Sequence, residues 1–153
     1  MMNDNSFTTT FTVAQSPEQV FAAITNPRAW WGEGITGEAA KLGGEFTYRH
    51  GKIHLSVQKI SELVPNQKLV WKITKSQLNF VAHKSEWDGT EVIFEIAKKG
   101  DKTTLTVTHA GLVPQFECFE GCSAGWSFYL NQSLKSLIET GHGEPDPKAK
   151  AAA

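Results

Sequence analysis

Several things are scarce in this chain of 153 residues, and each scarcity argues against a class of protein. No apolar run approaches the ~18 residues of a membrane-spanning helix, so insertion into a bilayer is not expected. Basic residues are not in surplus: 15 Lys and Arg stand against 16 Asp and Glu, a formal net charge of −1, with no basic face or stripe. A nucleic-acid partner, which would be held largely through its phosphates, is therefore not expected. Only two cysteines occur, Cys118 and Cys122. Their C-x-x-x-C spacing lacks both the C-x-x-C form of a redox pair and a second pair of metal ligands. Histidines are scattered, with only His50 and His54 close together, flanking a turn, so neither a metal nor another cofactor is expected. The N-terminus, from Met1 to Ser6, lacks the basic and apolar regions of a signal peptide. The expected compartment is the cytoplasm, with both thiols reduced and buried.

What is present fits one domain, which at this length buries roughly 68–70% of the surface its unfolded chain exposes. Phe7, Thr9, Phe11 and Val13 alternate with threonines, a period of two that predicts a first strand. Ser16-Pro17-Glu18-Gln19 supplies an N-cap, a first-turn proline and a capping-box glutamine, predicting a short helix over 17–25. Asn26-Pro27 opens one more helical turn, running through Trp30-Trp31. Five further strands follow over 45–49, 53–63, 69–75, 91–98 and 103–112, joined by short links with turn chemistry such as Asp88-Gly89 and Gly100-Asp101, which imply an antiparallel meander. The stretch 77–86 reads as a mobile loop or a short helix.

Alternation places Phe46 and Tyr48, then Leu69, Trp71 and Ile73, then Val92, Phe94 and Ile96, and finally Leu105, Val107 and His109 on one apolar face. Over 120–139 a helix about 30 Å long is expected, burying Phe119, Trp126, Leu130, Ser133, Leu134 and Leu137, with Gly141 as its stop. The expected fold is α+β of the helix-grip kind: a curved antiparallel sheet of about six strands wrapped round a long C-terminal helix, with two short N-terminal helices. A single domain over 1–141 precedes a tail over 142–153 that has little to bury and is expected to be disordered.

Two motifs invite chemistry. Gly121-Cys122-Ser123-Ala124-Gly125 matches G-x-S-x-G, but a nucleophile elbow needs a strand leading into the serine, whereas 116–120 reads as a loop or a first helical turn. Small residues there are instead expected to admit a closely packed neighbour. His109, set among Leu105 and Val107, must be hydrogen-bonded inside the fold, to a backbone carbonyl or Tyr48, or meet a polar ligand group, where it could serve as acid or base. Phe128 lies on the polar side of the helix, where it marks a candidate contact with a partner.

With these elements placed, the chain resembles the START-like superfamily (SRPBCC, birch-pollen-allergen-like) and, within it, the family named after the activator of the heat-shock-protein ATPase. The resemblance is carried by Ser16-Pro17-Glu18-Gln19-Val20-Phe21, Trp30-Trp31-Gly32, Gly43-Gly44-Glu45-Phe46, Trp87-Asp88-Gly89-Thr90, Thr108-His109-Ala110-Gly111-Leu112 and Gly125-Trp126, which span almost the whole chain up to Gly141. It implies an internal cavity used for a hydrophobic ligand, for catalysis on aromatic polyketides, or a domain that binds a chaperone. The first expectation is binding of a small hydrophobic, lipid-like or polyketide-like molecule in a pocket lined by Trp30, Trp31, Phe46, Tyr48, Trp71, Phe94, His109, Trp126 and Leu130. Trp30 and Trp31, beside a Gly-rich loop, are expected at its lip. Cyclase or hydrolase chemistry on His109 is the second expectation, and a chaperone or a second copy of the chain the further partners.

Overall fold

The computed structural model describes residues 5–146. Strand β1, Phe7–Val13, leads into α1, Pro17–Ile24, which starts on a complete capping box. Ser16 Oγ accepts from the Gln19 N–H (3.2 Å) and Gln19 Oε1 accepts from the Ser16 N–H (3.0 Å). A single 3-10 turn, Pro27–Ala29, is the second short helix. The strands β2, Thr36–Gly37; β3, Glu45–His50; β4, His54–Val64; β5, Lys68–Leu78; β6, Glu91–Lys99; and β7, Lys102–Ala110 follow. The six expected strands are all present, and β2 is the addition, too short for alternation to reveal it.

Among the described residues the strands form one antiparallel sheet in the order β1-β7-β6-β5-β4-β3-β2, so the first strand closes against the last. Its outer face is wet and carries a ladder of threonine pairs between β1 and β7, with Thr8–Thr108, Thr10–Thr106 and Thr12–Thr104 hydroxyls at 2.9, 3.1 and 3.2 Å. Two register shifts between β4 and β5, at Val57/Gln58 and at Ile60/Glu62, bend the long central pair. Such bulges sharpen local twist and make a sheet concave. The concave face carries Phe46, Ile60, Leu69, Trp71, Ile73, Val92, Phe94, Leu105 and Val107, all essentially inaccessible to solvent.

The C-terminal helix lies against that face. It begins as α2, Phe119–Phe128, passes through a π-helical segment, Tyr129–Leu134, and ends as α3, Lys135–Thr140, where Gly141 takes the left-handed conformation with φ +89°. A π segment holds more residues per turn than an α-helix, so the buried face slips along the sequence. Leu130, Ser133, Leu134 and Ile138 are buried, and Leu137, expected inside, is only partly so.

One open expectation is decided, for a loop rather than a helix, and another is revised. Residues 79–90 are a series of turns, with Leu78 closing β5 in the core and Phe80 46% exposed. Residues 142–146, expected to begin a disordered tail, instead fold back as a strap: Ser136 Oγ donates to His142 O (2.6 Å), Glu144 N–H to Ser133 Oγ (2.6 Å), and Asp146 pairs through its backbone with Trp31 and Glu33 (3.0 and 2.9 Å). Residues 147–153 lie outside the described residues.

Candidate functional site

Between the concave face and the C-terminal helix lies a cavity of about 100 Å³. Five of its lining rings close a circuit of contacts. Trp31 stacks on Tyr48 with ring centroids 4.1 Å apart, and Tyr48 meets His54 edge to face at 5.0 Å. His54 meets Trp87 at 4.7 Å, Trp87 lies parallel to Trp126 at 5.8 Å, and Trp126 returns to Trp31 at 5.1 Å. Different elements supply these rings, so the site exists only in the fold. Tyr48 comes from β3 and His54 from β4, Trp31 from the corner after the 3-10 turn, and Trp126 from α2. Trp87 comes from the turns before β6, which the adjacent Glu86 ties to the helix start by accepting from the Glu117 and Cys118 N–H groups (2.8 and 3.1 Å).

Beside Trp126 and Tyr129, the helix wall of the cavity is made of small residues. Gly121, Cys122 and Gly125 line it, and a Cβ built on Gly125 would meet nothing within 4 Å among the described residues, while one on Gly121 would first meet Phe80 at 3.9 Å. The expectation that a neighbour packs closely here is therefore corrected: the missing side chains leave space. Ser123 sits inside α2 rather than on a strand-to-helix turn, and its buried Oγ finds no hydrogen-bond partner among the described residues. The G-x-S-x-G match thus lacks the geometry of an elbow.

His109 is sealed from the cavity. The Trp126 indole N–H donates to its Nδ1 (3.0 Å), which fixes the proton on Nε2. That N–H donates to Thr90 Oγ1 (2.8 Å), whose own hydroxyl donates to the Trp87 carbonyl (2.6 Å). Both nitrogens are used, the ring is 1% exposed, and burial pushes its pKa down to about 3, helped by nearby His54. It holds Trp126 and, through Thr90, the Trp87 backbone; as an acid–base group or ligand anchor it has no free atom. His54 is also driven neutral, its pKa lowered to about 4 by burial and then by His50.

At the tyrosine end of the cavity sits a carboxylate. Tyr48 and Tyr129, both lining residues, donate to the two oxygens of Asp146, and His50 Nδ1 lies 2.9 Å from Oδ2. Burial first, and the Asp146 carboxylate second, push both phenols above the ordinary tyrosine range, so they stay protonated donors. The thiols are free and buried, with Cys122 directed at Cys118, which lowers the pKa of Cys118 and raises its own.

The profile of the family described as "Activator of Hsp90 ATPase homolog 1-like protein" matches residues 14–139. The chain belongs to that family. Among curated proteins, none matches it. Of solved structures, it is similar to the Aha1 dimer of Colwellia psychrerythraea, at 24% identity and a TM-score of 0.73, covering 90% of this chain and 98% of that one. It is similar also to CalU16 of Micromonospora echinospora, at 18% identity and a TM-score of 0.63, covering 87% and 74%. DynU16, a protein of the dynemicin biosynthetic locus, matches at 18% identity and a TM-score of 0.67, covering 92% of this chain and 49% of its own. These likenesses show the helix-grip fold.

Of the residues expected to line a pocket in this Hsp90-activator-like domain, Trp31, Tyr48 and Trp126 are brought together around the cavity. Trp30, Phe46, Trp71, Phe94 and Leu130 are buried in the core beneath it and do not line it. Trp30 and Trp31 are 0% and 2% exposed, so neither forms a lip; Trp30 is held by its indole N–H to Ala23 O (3.1 Å). Sequence reasoning missed His54, Trp87 and Tyr129. Tyr48 pairs with Ser56, so His54, two residues before Ser56, shares the inner face and was within reach of alternation. Trp87 lay in a stretch without period, and Tyr129, three residues after Trp126 and so on the same side of the helix, was within reach of helical spacing.

Proposed function

We propose that this domain binds a small, flat, apolar molecule in the aromatic cavity between sheet and C-terminal helix. The observation that carries this is the closed circuit of five rings around space that Gly121 and Gly125 leave unfilled. Apolar walls with a few polar groups are the usual make-up of a ligand pocket. At about 100 Å³ the cavity is well below the roughly 300–1,000 Å³ of pockets for drug-sized compounds. It is closer to the ~150 Å³ apolar cavity that holds benzene. A single ring suits it, whereas a fused polyketide or a lipid chain requires Phe80 and the turns around it to open. Chaperone or self-association is a separate proposal, supported by the family name and by the dimer in the similar Colwellia structure.

The test is to fill the cavity from its glycine wall. Titrating toluene and benzyl alcohol into the protein should quench tryptophan fluorescence saturably, and Gly125→Leu should remove that binding while the thermal midpoint is kept. Absence of any saturable binding by the unsubstituted protein, or undiminished binding by a folded Gly125→Leu variant, would overturn the proposal.

A further inference from the structure

The carboxylate of Asp146 rests on groups that otherwise have no negative partner beside the cavity among the described residues. Oδ2 accepts from the Tyr48 hydroxyl and from His50, and Oδ1 from the Tyr129 hydroxyl. A carboxylate only accepts, so His50 must carry its proton on Nδ1, and three donors converge on one anion. The Asp146 side chain is 16% exposed, so this is a partly buried carboxylate satisfied at both oxygens. Its donors are not strap residues: Tyr48 and His50 belong to β3 and Tyr129 to the helix, and both tyrosine rings line the cavity.

We propose that Tyr48, Tyr129 and His50 form a receptor for the carboxylate of a small aromatic acid, whose ring takes the cavity while its acid group replaces that of Asp146; this rests on the cavity being a ligand site. The strap need not leave for the exchange. Its backbone is held separately, by Asp146 N–H to Trp31 O (3.0 Å), Glu33 N–H to Asp146 O (2.9 Å) and Glu144 N–H to Ser133 Oγ (2.6 Å), so only the aspartate side chain has to rotate away. Tethered on the chain, Asp146 acts as an internal competitor at an effective concentration on the order of millimolar or above. Apparent affinity for a free acid scales with the fraction of molecules whose receptor is vacant, so removing the competitor strengthens binding.

Three single-ring probes of similar shape decide the matter: phenylacetate, its neutral counterpart phenylacetamide, and the cation phenethylammonium, each titrated by calorimetry into the full chain and into Asp146→Ala. With the receptor vacant in about one molecule in ten, the variant should bind phenylacetate about tenfold tighter than the unsubstituted chain. It should also prefer the acid over the amide, and Tyr129→Phe added to Asp146→Ala should take the gain back. Asp146→Asn, which keeps the shape of the strap, should show the same order of preference if the alanine variant folds poorly. Equal binding of acid and amide by the variants overturns the receptor and leaves the aromatic cavity standing. Binding of phenethylammonium that is lost in Asp146→Ala also overturns it, since Asp146 is then a counter-ion for a cation. Failure of all three probes on every protein overturns receptor and cavity together.

Discussion

At position 109 a polar ring occupies a place that alternation gives to a hydrophobe, and its hydrogen bonds explain why the fold tolerates it. The run from the Trp126 indole through His109 and Thr90 to the Trp87 carbonyl satisfies every polar atom on the way and clamps two of the three tryptophans that wall the cavity. The same burial makes stability depend on pH. Unfolded, His109 titrates near its ordinary 6.5; folded, near 3. Between those values the unfolded chain binds the more protons, so its contribution is complete above about 6.5 and drains away as pH falls, approaching about 1.4 kcal/mol per pH unit. His54, lowered to about 4, adds to the loss in the same direction. Urea unfolding followed from about pH 7.5 to about pH 5, above most carboxylate titration, should show this decline. A flat or rising stability on acidification contradicts a neutral, sealed His109.

Among the elements, those with a plain period were legible from sequence, and those whose shape depends on what packs against them were not. The capping box of α1, the six long strands and the stop at Gly141 follow from local chemistry at Ser16, in the Thr-rich alternation of β1, and at a glycine that can adopt positive φ. The inner face carrying Phe46, Trp71 and Phe94 was equally legible, yet these rings proved to be the core below the cavity rather than its wall. The wall depends on an aperiodic turn carrying Trp87, and its tyrosine end on a strap whose contacts lie 98 residues away in sequence at Tyr48. Nothing local encodes those placements. The helix offers a check at Gly125, where a Cβ meets open space and helix propensity alone should decide. Gly125→Ala is expected to stabilise by up to about 1 kcal/mol, a rise of roughly 3 °C in thermal midpoint. By contrast Gly37, at φ +112° with a would-be Cβ 2.3 Å from the Glu45 carbonyl, should lose stability as alanine. Equal destabilisation at both sites would mean that the helix wall is packed rather than open.

For the molecule as a whole, one sheet, one long helix and a returning strap bury all five tryptophans of the chain and still leave a space among three of them. Among the described residues no helix is long and apolar enough to cross a membrane. Membership of the Hsp90-activator-like family accounts for the architecture, while the small aromatic cavity and the aspartate at its tyrosine end are features of this chain's own residues. The most direct test is a crystal of the protein soaked with iodobenzene and measured at a wavelength where iodine scatters anomalously. The account predicts an iodine peak inside the ring formed by Trp31, Tyr48, His54, Trp87 and Trp126; an ordered crystal with no peak there, under soaking conditions that saturate binding in solution, would contradict it.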